Sequence, residues 1–199
     1  MVQANATIPG YTMGTNQVPR APITLAELKK IEQALLFTDE DAKYLRMSKD
    51  ILAPQVEAIL DVWYGFVGSH DFLLDTFVDP ATKSPDANYL AAVRKRFGQW
   101  ILDTAAANYN QAWLDYQIEI GRRHHRSGKN KTDHAKGSAN VPYRYLPALI
   151  VPITTTLKPF LAKAGASSED VEKMHAAWVK SVTLQVVLWS YPYVKNGDF

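Results

Sequence analysis

The run richest in reactive side chains is Trp113-Leu114-Asp115-Tyr116-Gln117-Ile118-Glu119-Ile120-Gly121-Arg122-Arg123-His124-His125-Arg126. Read as a helix, with side chains advancing about 100° per residue, it divides into two faces. Asp115, Glu119, Arg122, Arg123 and Arg126 gather on one face. Trp113, Tyr116, Gln117 and Ile120 gather on the other, with His124 near its middle. His125 is turned about 100° away, towards the boundary. One imidazole of the pair therefore points into a core at the end of a helix, ahead of a loop that contains glycine. Two readings stand side by side. A core histidine can be satisfied by a backbone carbonyl and do nothing more. A buried neutral imidazole is also what haem iron takes as its proximal ligand. The adjacent pair does not suit one zinc ion, because neighbouring helical side chains diverge.

Trp63-Tyr64 is the second candidate. Two large aromatics beside an apolar stripe are compatible with plain core, but a buried tyrosine needs a partner for its hydroxyl, and a diatomic ligand or a water supplies one. The face carrying Leu90, Val93, Phe97 and Ile101 is wholly apolar and holds no histidine. A haem placed here would be five-coordinate, with its sixth position open. Arg94, Lys95 and Arg96 form a charge run that suits a solvated helix face, although one member can pair with a propionate. His70, His134 and His175 are isolated and read as surface or structural. The sequence shows no glycine-rich phosphate loop, no G-x-S-x-G and no His-Glu-x-x-His.

Composition narrows the classes. The 199 residues, 47% of them hydrophobic, suit one globular domain or at most two small ones. The chain has no cysteine, which removes disulfide scaffolds, Fe–S clusters, thiolate metal sites and covalently attached c-type haem together. Lys+Arg is 22 and Asp+Glu is 20, and a net charge of +2 is too small to imply nucleic acid. Asp115, Glu119 and Asp133 dilute the cluster of Arg122, Arg123, Arg126, Lys129 and Lys131 in the same sense. Residues 1–10 lack the basic region and apolar run of a signal peptide, so the Asn5-Ala6-Thr7 sequon carries no weight. The most apolar stretch, residues 145–157, is short and broken by Pro147 and Pro152 and does not make a membrane span. These points lead us to expect a soluble, cytoplasmic protein.

The elements that must position these residues read as all-α. Residues 1–23, with Pro9-Gly10, Gly14, Pro19 and Pro22, form an irregular arm. Thr24-Leu25-Ala26-Glu27 is a capping box opening a helix through Leu28, Ile31, Leu35 and Leu36. Thr38 caps a second helix, residues 39–52, and Pro54 opens a third that ends at Gly68. On the third, Val56, Ile59, Leu60, Trp63 and Val67 make one apolar stripe. A short element follows around residues 72–77. Ser84 caps the helix bearing Val93, Phe97 and Trp100, and Asn110 caps residues 111–126. Residues 127–140 are a polar loop. Pro142 opens a helix to Ala162 that Pro147, Pro152 and Pro159 should kink. Ser167, with Asp170 three residues on, starts the last helix, apolar at Val171, Met174, Trp178, Val182, Leu188 and Trp189.

Ile8-Pro9-Gly10-Tyr11, Ile59-Leu60-Asp61-Val62-Trp63-Tyr64-Gly65-Phe66-Val67-Gly68, Tyr89-Leu90-Ala91-Ala92-Val93-Arg94-Lys95-Arg96-Phe97 and residues 113–126 closely resemble the protoglobins. So do Pro152-Ile153-Thr154, Lys158-Pro159-Phe160-Leu161 and residues 184–193, so that the resemblance covers nearly the whole chain. It implies a single-domain relative of the globin-coupled sensors, with a globin fold (a helical sandwich around haem) over residues 24–199 and an additional N-terminal helix and arm. It implies haem b as cofactor. In it His124 matches the proximal histidine, and Trp63 and Tyr64 match the distal aromatics. Val93 stands in the place of the usual distal histidine, Phe97 lines the distal side, and Arg96 faces a propionate. Ile120 and Leu149 complete the contacting set. Leu149 stands where relatives often carry phenylalanine, which enlarges the pocket.

The function so implied is reversible binding of O2, CO and NO at five-coordinate iron. Two alternatives accompany it. One is a haem enzyme removing NO or peroxynitrite, which would need an external reductase because the chain has no flavin or nicotinamide domain. The other is a gas sensor acting through a separate partner, since the chain stops about where a globin stops. The resemblance also implies a homodimer. The apolar surplus at Ile150, Ile153 and Leu157 and at Val179, Val182, Val186 and Trp189 suits contact across a two-fold axis.

Overall fold

Short polar side chains start the helices that open at Leu25, Asp39, Ala87, Gln111 and Ser168. The Thr24 hydroxyl accepts from the Glu27 N–H while the Glu27 carboxylate accepts from the Thr24 N–H, opening α1 (Leu25–Ala34). Thr38 and Asp41 repeat the device for α2 (Asp39–Leu52). A 3-10 turn, Ala53–Gln55, contains Pro54 and leads into α3 (Val56–Gly68). Next come α4 (Asp71–Leu74), a second 3-10 turn (Asp75–Phe77) and a two-residue antiparallel ladder of β1 (Val78–Asp79) with β2 (Ser84–Pro85). The chain continues as α5 (Ala87–Ala106), α6 (Gln111–His124), α7 (Tyr145–Ala148), α8 (Ile150–Leu161) and α9 (Ser168–Trp189). This computed structural model describes residues 8–199, and the Asn5-Ala6-Thr7 sequon lies outside them. Among the described residues no helix is long and apolar enough to cross a membrane.

Several boundaries differ from the sequence reading. Asp86, not Ser84, caps α5, its carboxylate accepting from the Asn88 and Tyr89 amides at 3.0 Å each. Ser84 is drawn into the ladder opposite Asp79, and the charged cap gains from the helix dipole. The helix expected to reach Arg126 ends at His124. The long helix expected from Pro142 is two helices, broken at Leu149. Pro152 then falls in the first turn of α8, where a missing N–H costs nothing. Leu36 lies beyond α1 with φ +53° and is 74% exposed rather than part of its buried stripe.

The last helix, α9, is the centre of the packing, lying against α2, α6 and α8. Its tryptophans bring polar atoms into the core together with their partners. The Trp178 N–H donates to Ser48 Oγ at 2.9 Å, and the Trp189 N–H donates to Gln117 Oε1 at 2.9 Å. Gln185 accepts from the Trp100 N–H and donates to Thr104 and Ser181, whose hydroxyl meets that of Tyr109. A buried polar group left unpaired costs about 1–3 kcal/mol, so these bonds fix the rotation of α9 as well as its depth. Leu157, Val182, Val186 and Trp189 are buried within the chain, and Ile150 and Ile153 line its internal cavity. The apolar surplus from which the sequence suggested a homodimer is thus largely used inside one chain. Among the large apolar side chains of α8 and α9, Val151 stands out as exposed.

The α6–α9 crossing rests on a glycine. A Cβ at Gly121 would lie 2.8 Å from both Cα and O of Trp189, and backbone cannot swing aside as a side chain can. Gly65 of α3 has nothing within 4 Å of such a Cβ. Two helix-interior glycines should therefore respond to alanine with opposite signs. Gly65→Ala should stabilise the fold by about 0.5–1 kcal/mol, the usual helix-propensity gain. Gly121→Ala should destabilise it by about 1–3 kcal/mol through overpacking. Urea denaturation of the two variants checks both signs.

Candidate functional site

His124 is the last helical residue of α6. The next residue has φ −90° and ψ 156°, and its N–H turns back to the carbonyls of Gly121 and Arg122, at 3.1 Å each. The N–H of Val141 closes the His124 carbonyl at 2.9 Å. The imidazole Nδ1 lies 2.9 Å from the Ile120 carbonyl. A carbonyl only accepts, so Nδ1 bears the hydrogen and Nε2 keeps a free lone pair. Nε2 has no partner among the described residues, and the accessible part of the ring lines a cavity. Burial holds the imidazole below the ordinary 6.5, opposed in part by the Ile120 carbonyl, so the ring is neutral. The Trp189 indole lies against it nearly parallel, at 13° and 5.3 Å between centroids. His125 points elsewhere, meeting Ser127 Oγ and the edge of Tyr193.

The cavity encloses about 250 Å³ and is lined from α3, α5, α6, α8, α9 and the loops. The eight residues expected to contact the cofactor, Trp63, Tyr64, Val93, Arg96, Phe97, Ile120, His124 and Leu149, come to its wall, whereas Leu90 and Ile101 of the apolar face on α5 are not among the lining residues. Trp63 meets Phe97 edge-on at 5.7 Å and joins Val67 and Leu73 in a buried cluster, against which Tyr64, Leu149 and Ile153 pack. Tyr64 has no hydrogen-bond partner for its hydroxyl among the described residues. Burial raises its ionisation well above 10, so it stays an O–H donor. Arg94 spans Glu57 and Asp61 and lies 5.7 Å over the Tyr64 ring, while Lys95 is exposed.

One end of the cavity is polar. Arg96 holds Asp133 with both arms of its fork, at 2.9 and 2.6 Å, and donates to the Pro9 carbonyl. Its charge is thus already paired within the chain. Arg123, assigned from the sequence to the charged face opposite His124, nevertheless lines the cavity, bonds Glu119 at 3.0 Å and reaches the Gly10 carbonyl and Thr12 in the arm. Tyr11 of the same arm donates to Asp103 at 2.8 Å and also lines the cavity. Lys129 is buried and donates to the Thr76 carbonyl and the Tyr89 hydroxyl; burial pushes its ammonium down to about 8. Sequence reasoning missed Tyr11, Arg123, Lys129 and Trp189. Only Trp189 had a local signal, its helical spacing from Val182 and Val186 on the stripe that faces the cavity.

Apolar walls, one unpaired neutral imidazole and a polar end bearing Arg96, Arg123 and Lys129 make a set that fits an iron porphyrin: a flat hydrophobic body, a metal wanting a nitrogen ligand, and carboxylates at one edge. Among the described residues no group of three or more His, Asp or Glu side chains gathers to hold a metal by itself.

The model of the Protoglobin family matches residues 24–199. Among solved structures, the globin domain of the Geobacter sulfurreducens globin-coupled sensor is similar at a TM-score of 0.62 and 16% identity, covering 84% of this chain and 97% of that one. At that identity the likeness establishes the fold, which is the globin fold. No curated protein matches the sequence.

The buried imidazole has a pH signature. Between its lowered value and 6.5, the unfolded chain binds a proton that the folded chain refuses. Stability from this group is therefore complete above 6.5 and falls as the pH drops through that window. In the apo chain, nitrogen NMR should show His124 titrating below the ordinary 6.5, with the hydrogen of its neutral form on Nδ1. Titration of His124 near 6.5 would contradict the assignment.

Proposed function

The chain belongs to the protoglobin family, and from that premise we propose that it is a haem-b globin binding O2, CO and NO reversibly, with His124 as axial ligand and Trp63 and Tyr64 on the opposite side. The observation that carries this reading is the unpartnered Nε2 of a neutral imidazole lining a largely apolar cavity. When bound, iron protoporphyrin supplies a metal with one position open to exchange of diatomic gases. With no cysteine in the chain, it would be held without covalent attachment.

The residues divide the work. His124 offers the lone pair, and the Ile120 carbonyl on its Nδ1–H makes that lone pair more basic. Val93, Phe97 and Leu149 line the apolar walls, excluding water and the polar reactions that water brings. Tyr64 keeps its proton and offers an O–H donor to a polarised diatomic ligand. Arg96 and Arg123, their charges paired with Asp133 and Glu119, offer N–H donors at the polar end where the carboxylates of the porphyrin would sit, and Lys129 adds an ammonium met by neutral oxygens.

Two variants test the reading. His124→Ala should abolish stable haem binding or leave a spectrum restored by added imidazole, whereas His125→Ala should keep the wild-type spectrum. The reverse pattern would move the ligand to His125. Tyr64→Phe loses one hydrogen bond in a dry pocket, about 1.5–3 kcal/mol. It should speed O2 release by roughly 10- to 100-fold, with much less effect on the less polar CO, as flash photolysis or stopped flow would show. An equal effect on both gases would assign Tyr64 a steric role.

A further inference from the structure

Three features of α6 converge on one residue of α9. Gln117, Gly121 and His124 fall at i, i+4 and i+7, a single helical stripe, and each meets Trp189 in a different way. The Gln117 Oε1 accepts the indole N–H at 2.9 Å in a buried site. Gly121 lets the backbone of Trp189 come so close that a Cβ would lie 2.8 Å from it. The His124 ring stacks on the indole at 13° and 5.3 Å.

We propose that Trp189, held in place by Gln117, is the positioning residue that sets the plane of the His124 imidazole. The argument is geometric. The bond from Nδ1 to the Ile120 carbonyl constrains a direction within the ring plane and leaves the ring free to pivot about that direction. The stack constrains the normal to the plane. Together the two contacts leave the ring no free rotation, and Nε2 is aimed before any ligand arrives. The indole is itself fixed, because its N–H would lose its buried acceptor if the ring turned. This assignment gives Trp189 a role inside the chain, where its sequence pattern had suggested a surface between copies. It rests on His124 being the axial ligand. An axial imidazole whose plane wanders bonds the metal with a spread of strengths, whereas a clamped one bonds with a single strength.

The test uses Trp189→Phe, Trp189→Leu and Gln117→Leu. In the apo wild-type chain, the carbon-bound ring protons of His124 should resonate upfield, shifted by the indole face. Gln117→Leu should reduce that shift although it leaves the tryptophan in the chain. In the haem-loaded ferrous protein, resonance Raman should show one narrow iron–histidine stretching band in the wild type. Trp189→Phe, which keeps a stacking face but loses the N–H that Gln117 holds, should broaden it as Gln117→Leu does, while Trp189→Leu, which loses the face as well, should broaden or split it further. Circular dichroism confirms folding, and if Trp189→Leu does not fold, Gln117→Leu decides the matter. An unchanged band and unchanged ring shifts in folded Gln117→Leu overturn the proposal. Failure of the wild-type chain to take up haem would overturn the functional reading instead, and the apo shifts would still report on Trp189.

Discussion

The close crossing of α6 over α9 is the contact on which the rest depends. Two helices approach at the Gly121–Trp189 pair, where even a methyl group would meet backbone. One turn along α6 from that point the helix ends, and the side chain at its end is His124. Were the helices farther apart, the indole would not reach the imidazole and the cavity floor would shift with α6. A residue chosen for lacking a side chain thus governs the placement of the side chain with the most chemistry.

Charge is handled in a second, complementary way. The cavity is lined by a ring nitrogen and a hydroxyl that have no partner among the described residues, while two of its cations are compensated within the chain. Arg96 is paired with Asp133 and Arg123 with Glu119, while the Lys129 ammonium is met by neutral oxygens. The same arginines fasten the N-terminal arm through the Pro9 and Gly10 carbonyls, and Tyr11 adds its bond to Asp103. The arm therefore belongs to the cavity wall, and the polar end of the cavity is built by residues more than eighty positions apart in the chain, from Tyr11 to Arg96 and beyond.

Local physics was legible in the sequence. The Thr24 capping box and the Thr38 cap stand where the sequence places them, and the stripes of α3 and α9 are buried as their spacing requires. The choice of His124 over His125 as the inward imidazole followed from an angle alone. Non-local effects were not legible. Ser84 lost its capping role to a two-residue strand pairing that no periodicity announces. Arg123 carries the sequence signature of the charged face opposite His124, and only the arm folding back over α6 turns it into a wall residue. Trp189 was counted with a partner-facing surplus because the last two turns of α9, residues 182–189, are apolar on several faces, so that burial against the chain and contact with a partner share one pattern. The break at Leu149 shows the same limit, since the prolines around it state that the helix bends and do not state where.

The central claim is that this chain holds one haem on one histidine in a cavity already shaped for it. Titrating haemin into the apo chain, then reducing it and recording the visible spectrum, tests this most directly. The account predicts a sharp end point at one haem per chain and a ferrous spectrum of a five-coordinate, histidine-ligated iron. Absorbance that rises without saturating, or a ferrous spectrum of two histidine ligands, would contradict it.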